Sequence, residues 1–105
     1  MSVDFILRER ELQALYDECL DTWGMDSQIL MLAEEAGELV VATLHLLRSL
    51  KQETAFEQFI DELADIEVMK DEFYYYFRHR DLRNRVRARY DEKIQRLKRL
   101  LRGGE

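Results

Sequence analysis

The 105-residue chain has no proline, one cysteine and four glycines, two of them among its last three residues. So few turn-formers leave little to punctuate strands and hairpins, and an all-α fold is expected. The lone Cys19 excludes a disulfide framework or a cysteine-built zinc site within one chain. It also suits a reducing cytoplasm. No apolar run approaches the ~18 residues of a spanning helix, so no membrane partner of that kind is expected. Asp4 stands where a secretory leader would be basic, and no small-residue cleavage site follows. Hydrophobic residues are plentiful at 47%, which argues against wholesale disorder. The length suits a single domain over residues 1–105. A core this small is modest, so long helices would need a partner subunit.

The net charge of −6 conceals a split. Residues 78–102 hold eleven of the sixteen Lys and Arg, against only Asp81, Asp91 and Glu92. The rest of the chain sets five basic residues against nineteen acidic ones. An acidic body and a basic C-terminal helix can pair across subunits, or hold a cation and a polyanion close together. The plainer reading is a helix surface solvated by Arg and Lys. A non-enzymatic helical module that binds nucleic acid through its basic end is one functional alternative. Overall acidity and the lack of a DNA-binding motif argue against that partner.

Apolar periodicity predicts about four helices, and the expected fold is an antiparallel bundle of them. The first runs from about Asp4 to Trp23, with Leu12, Leu15, Tyr16, Cys19, Leu20 and Trp23 at steps of three and four. Gly24 ends it, because glycine takes the left-handed conformation cheaply. Asp26 or Ser27 is the expected cap of the second helix, which runs to about Leu50. Thr54-Ala-Phe-Glu57 reads as a capping box opening the third, which runs to about Phe77. Arg78-His79-Arg80-Asp81 has no Gly or Pro. Two readings stand there: a joint with Asp81 as N-cap, or one continuous helix from Thr54 to Leu101. The fourth helix carries Leu82, Val86, Tyr90, Ile94, Leu97 and Leu101 and frays at Gly103-Gly104.

At ~100° per residue, Glu34, Glu35 and Glu38 share one sector of an otherwise apolar second helix. A helix apolar almost all round is expected to be buried. Each like-charge pair at helical spacing costs roughly 0.2–0.5 kcal/mol even when exposed. Burial raises that cost steeply unless a cation sits among the charges. The third helix repeats the pattern: Glu62 and Asp65 are three apart, as are Glu35 and Glu38. If the two helices pack antiparallel, both pairs lie roughly 12–18 Å from the joint and can face each other. Four carboxylates without histidine or cysteine make a hard all-oxygen site, suited to magnesium or manganese. The rival reading is a solvated acidic strip on an ordinary bundle. A ferritin-like di-iron site would need ExxH pairs, and no histidine follows Glu35 or Glu62 by three.

Glu34-Glu35-Ala36-Gly37-Glu38-Leu39, followed by Asp61-Glu62-Leu63-Ala64-Asp65-Ile66, resembles the EExxE…ExxD signature of the MazG-like all-α nucleoside triphosphate pyrophosphohydrolases. The likeness spans about residues 12–101 and takes in Trp23-Gly24, Gln28 and Tyr90-x-x-Lys93-x-x-Arg96-Leu97. It implies a helical bundle assembled as a homodimer or a dimer of dimers. It implies magnesium-dependent hydrolysis of a (d)NTP between the α and β phosphates, giving (d)NMP and pyrophosphate. By position it makes Glu35, Glu38, Glu62 and Asp65 metal ligands. Glu34 becomes the accessory carboxylate that orients or deprotonates the attacking water, so Glu34 and Glu35 stand at the catalytic centre. Phosphoribosyl-ATP pyrophosphohydrolase is a sister activity. The arginine-rich link before the last helix departs from the Gly-containing turn of many relatives.

Lys93 falls inside the apolar sector of the last helix, where its charge needs an anion or an outward-snorkelling stem. Arg96 stands at the margin, and its fork suits phosphate. Trp23 could stack on a nucleobase or pack in the core. Gln28 could read a base edge or sit in solvent. Tyr74, Tyr75 and Tyr76 point to different faces, so at least one is expected in an interface or exposed. His45 is expected in an interface or the core, Met31 and Met69 beside the site, and Glu72 in a salt bridge to the basic helix.

Overall fold

A computed structural model describes residues 3–103. Regular structure there is entirely helical: α1 (Val3–Trp23), α2 (Met25–Arg48), α3 (Glu53–Tyr76), a 3₁₀ turn (Arg78–Arg80) and α4 (Leu82–Leu101). None of these helices is long and apolar enough to cross a membrane.

One residue parts α1 from α2. Gly24 sits at φ 82°, ψ 161°, a region essentially reserved for glycine. Its N–H still donates to the Leu20 carbonyl at 2.8 Å, and its own carbonyl accepts from Gln28 N–H at 3.1 Å. The glycine is therefore itself the N-cap, and Asp26 and Ser27, the expected caps, lie within the first turn of α2. The capping box is also displaced. The α3 helix opens at Glu53, so Thr54 and Glu57 are already helical. The reason is the preceding turn: Gln52 N–H donates to the Ser49 carbonyl at 2.9 Å, which presents the Gln52 carbonyl to Phe56 N–H at 3.3 Å.

The reading of one continuous helix from Thr54 to Leu101 is overturned. Arg80 N–H bonds Phe77 O and Asp81 N–H bonds Arg78 O, tightening the chain into a 3₁₀ turn. Asp81 then takes φ 56°, ψ 40°, a left-handed conformation that aspartate reaches more readily than most L-residues. It occupies the N-cap position, but its side chain accepts from Asn84 Nδ2 at 2.8 Å rather than from a backbone amide. Gly103 follows α4 at φ 67°; Gly104, the other half of the expected fray, lies outside the described residues.

The chain divides into two compact units, Met1–Glu72 and Phe73–Glu105. In the first, Tyr16, Gln28, Ala42, Ala55, Met69 and Glu72 are buried. The α2 and α3 helices run antiparallel. His45 meets Gln58, Glu38 meets Glu62 and Glu35 meets Asp65, so numbers fall on one helix as they rise on the other. The expected burial of α2 on all sides is not found. Ile29, Leu30, Val40, Val41, Leu44 and Leu47 are exposed, because the neighbouring helices cover only the Gln28–Ala42 side.

In the second unit Tyr76 is buried, and Phe73 packs against Tyr76 and Phe77 at 5.8 and 5.9 Å between ring centroids. Tyr74 and Tyr75 are half-buried rather than exposed, each under an arginine. The Arg78 guanidinium lies 4.2 Å from the Tyr75 ring centroid and donates to the Tyr75 carbonyl at 2.7 Å. Beside Phe73, Phe77 and Tyr90 a cleft of about 670 Å³ opens, rimmed by Arg80, Arg85, Arg89 and Lys93.

Candidate metal centre

The antiparallel register of α2 and α3 brings the two acidic pairs together. Glu35, Glu38, Glu62 and Asp65 each offer one carboxylate oxygen, and these oxygens all lie within 4.8 Å of one another. Opposite oxygens of an octahedral magnesium, each at ~2.1 Å from the ion, stand ~4.2 Å apart. The four oxygens are thus spaced for a hard divalent ion after a small inward movement. Two oxygens of these carboxylates are shut from solvent: Glu35 Oε2 and Glu62 Oε2 are buried without a hydrogen-bond partner. A buried anionic oxygen without a donor is costly, and a cation is the group that would satisfy both at once. The donor set therefore fits magnesium or manganese.

The proton affinities of these groups reflect the same crowding. Burial comes first among the causes that push the Glu35 carboxyl up to about 7, followed by the charges of Asp65 and Glu38. A hydrogen bond with Asp65 and the charge of Glu62 add to it. That bond exists only while one of the two carboxyls keeps its proton; once both ionise, two acceptors face each other. Glu62 is also raised, by burial, then by Glu38 and Asp65, a hydrogen bond with Glu38, and Asp61.

Next to the cluster lies a cleft of about 370 Å³, lined by Glu34, Gly37, Glu38, Val41, Gln58 and Glu62. Glu34 is exposed on its rim, one residue round the helix from Glu35. Gln58 went unnoticed in the sequence, yet it stands one turn before Glu62 on the same face, and that i, i+4 spacing was the available signal. Its Oε1 is 3.1 Å from His45 Nδ1, so the exposed His45 ties α2 to α3 rather than filling the core. Met69 is buried and Met31 half-buried on the acidic sectors.

The remaining candidates are dispersed. Gln28, read as solvent-facing or base-reading, is 1% exposed, and its Nε2 contacts Met31 Sδ at 3.4 Å; in this structure no base edge can reach it. Trp23 is not core: it is 54% exposed at the end of α1. Lys93 and Arg96 are exposed on α4, and Lys93 borders the cleft of the second unit. Glu72 is buried; burial, then the charges of Asp71 and Glu72, raises Tyr16 of α1, and burial, then the charges of Glu72 and Glu18, raises Cys19. No family model, curated protein or solved structure matches the chain.

Proposed function

We propose that this chain is a magnesium-dependent nucleoside triphosphate pyrophosphohydrolase of the MazG-like kind, acting in the cytoplasm as a homodimer or dimer of dimers. The observation that carries the reading is the convergence of Glu35, Glu38, Glu62 and Asp65, with two buried oxygens that lack partners. Those four residues hold the magnesium, or manganese in its place. Bound there, the ion would supply neutralisation of phosphate charge, polarisation of the α-phosphoryl group and a lowered pKa for a water. Glu34, on the rim of the adjoining cleft, orients that water or takes its proton. Lys93 and Arg96 are the side chains assigned to phosphate oxygens, where charge builds on the departing pyrophosphate. Exposed Trp23 is free to stack on a base.

The test is release of pyrophosphate, rather than orthophosphate, from a panel of (d)NTPs with magnesium present. Glu38→Ala and Asp65→Ala are each expected to lower kcat/KM on the order of 100-fold, about 2.7 kcal/mol of transition-state stabilisation. Equal activity in all three proteins would remove the assigned site. Phosphoribosyl-ATP in the same panel separates the sister activity. The nucleic-acid reading draws on the aromatic and cationic lining of the second cleft. Salt-sensitive retention on heparin with no hydrolysis of any nucleotide would favour it.

A further inference from the structure

We infer that the cleft beside the four carboxylates is the subsite for the nucleoside part of the substrate, with Gly37 and Gln58 as its specificity-determining residues. The inference rests on the nucleotide reading above and concerns two residues to which that reading gives no role. At ~100° per residue, Glu34, Gly37, Glu38 and Val41 share a sector about 100° wide on α2, and His45 continues it for a further turn. Gln58 and Glu62 line the cleft from α3. Its volume of about 370 Å³ lies at the small end of ligand pockets, which span roughly 300–1,000 Å³. The cleft shares Glu38 and Glu62 with the acidic cluster. The sugar is the part of a nucleotide bonded directly to the α-phosphate. A phosphate held at the carboxylates therefore puts the nucleoside in this cleft.

Gly37 stands at the middle of α2, where only proline is less favourable than glycine. Its backbone is ordinary helix, without the positive φ of Gly24 and Gly103. Close packing does not demand it either, because a Cβ built there meets no atom within 4 Å. Nothing among the described residues therefore requires a glycine. What the missing side chain leaves is open space on the cleft wall, beside Glu38, and glycine is the residue that lets a ligand come close to backbone. Gln58 stands across the cleft. Its Oε1 lies 3.1 Å from His45 Nδ1. With that nitrogen donating, the amide oxygen is taken and the amide N–H groups remain as donors held at the cleft. The other polar side chains lining it are Glu34, Glu38 and Glu62, whose carboxylates only accept when ionised. Among the described residues no Lys or Arg lines it, so a phosphate has no cationic partner there apart from a metal ion. A nucleoside suits both kinds of group: its hydroxyls donate to carboxylates, and its oxygens accept from the Gln58 amide.

The experiment pairs pyrophosphate release with calorimetric binding of two kinds of probe in magnesium. One is the set of α,β-methylene analogues of the (d)NTP panel, which cannot be cleaved at that bond; the other is tripolyphosphate, which has no nucleoside. Gly37→Ala and Gln58→Met are compared with the wild type. Gly37→Ala is expected to raise the melting temperature by roughly 2–8 °C through helix propensity. The same variant is expected to raise KM and the Kd of the analogues about tenfold, because its methyl group fills the cleft wall. Gln58→Met is expected to raise both about three- to tenfold, with little change in kcat. Both variants are expected to bind tripolyphosphate as the wild type does. Thermal gain without loss of affinity in Gly37→Ala would overturn the role of Gly37. Weakened tripolyphosphate binding in step with the analogues would overturn the subsite, since the defect would then lie at the ion. If the wild type cleaves nucleotides and both variants match it in KM and Kd, the subsite falls while the pyrophosphohydrolase reading stands. A wild type that neither cleaves nor binds any nucleotide removes that reading, and the subsite with it.

Discussion

Glu35 holds its proton up to about pH 7, well above an ordinary carboxyl. In the unfolded chain the same group ionises near 4.5. Between those values the folded state binds the extra proton, so stability falls as pH rises through the window and levels off above it. Glu62, shifted in the same direction, steepens the fall. The metal-free protein is therefore expected to melt at a lower temperature at pH 8 than at pH 5, and Glu35→Gln to flatten that dependence. On the proposed reading, bound magnesium would supply the missing positive charge and offset that penalty. Because protons compete for the same oxygens, its thermal stabilisation is expected to be larger at pH 8 than at pH 5.5. Melting curves over pH, with and without the ion, check both. A pH-independent melting temperature would mean that the cluster is not as crowded as its geometry indicates.

At the scale of elements, the joints depend on single residues. Gly24 lets α2 begin one residue after α1 ends, in a backbone conformation that side chains resist. A Cβ there would meet no atom within 4 Å, so any cost of Gly24→Ala is backbone strain rather than a clash. That cost is expected to be about 1–3 kcal/mol, read as a lower denaturant midpoint with an unchanged slope. Asp81 does the corresponding work between the 3₁₀ turn and α4, helped by Asn84. The hairpin of α2 and α3 is the element that makes the site. Its four-residue joint sets the register, and with it which carboxylates meet.

For the whole molecule, the informative quantity is the apolar surface left uncovered. Leu30, Val40, Leu47 and Val68 are all more than half exposed. Association of copies stabilises the folded state by mass action. The melting temperature is accordingly expected to rise with protein concentration over a hundredfold range, in differential scanning calorimetry or by circular dichroism. A concentration-independent value would argue for a stable monomer.

Helix placement and the identity of the acidic cluster were legible in the sequence, because both are periodic. A 3.6-residue repeat puts residues three and four apart on one face, which was enough to join Glu35 with Glu38 and Glu62 with Asp65. Caps were less legible: Asp26, Ser27 and Thr54 have the right chemistry, but the turns before them had already supplied a carbonyl or a glycine. Burial was the least legible, since a helix wheel shows which sides are apolar and not which side a neighbour covers. Hence Gln28 proved buried, Trp23 exposed and one face of α2 bare. By itself the sequence determined an all-helical chain with the break before α4 left open, an acidic body, a basic end and two carboxylate pairs in matching sectors. Only the tertiary structure decided that those pairs meet within 4.8 Å and strand two buried oxygens. Contact between helices depends on register and crossing, and no local pattern along one chain segment encodes either.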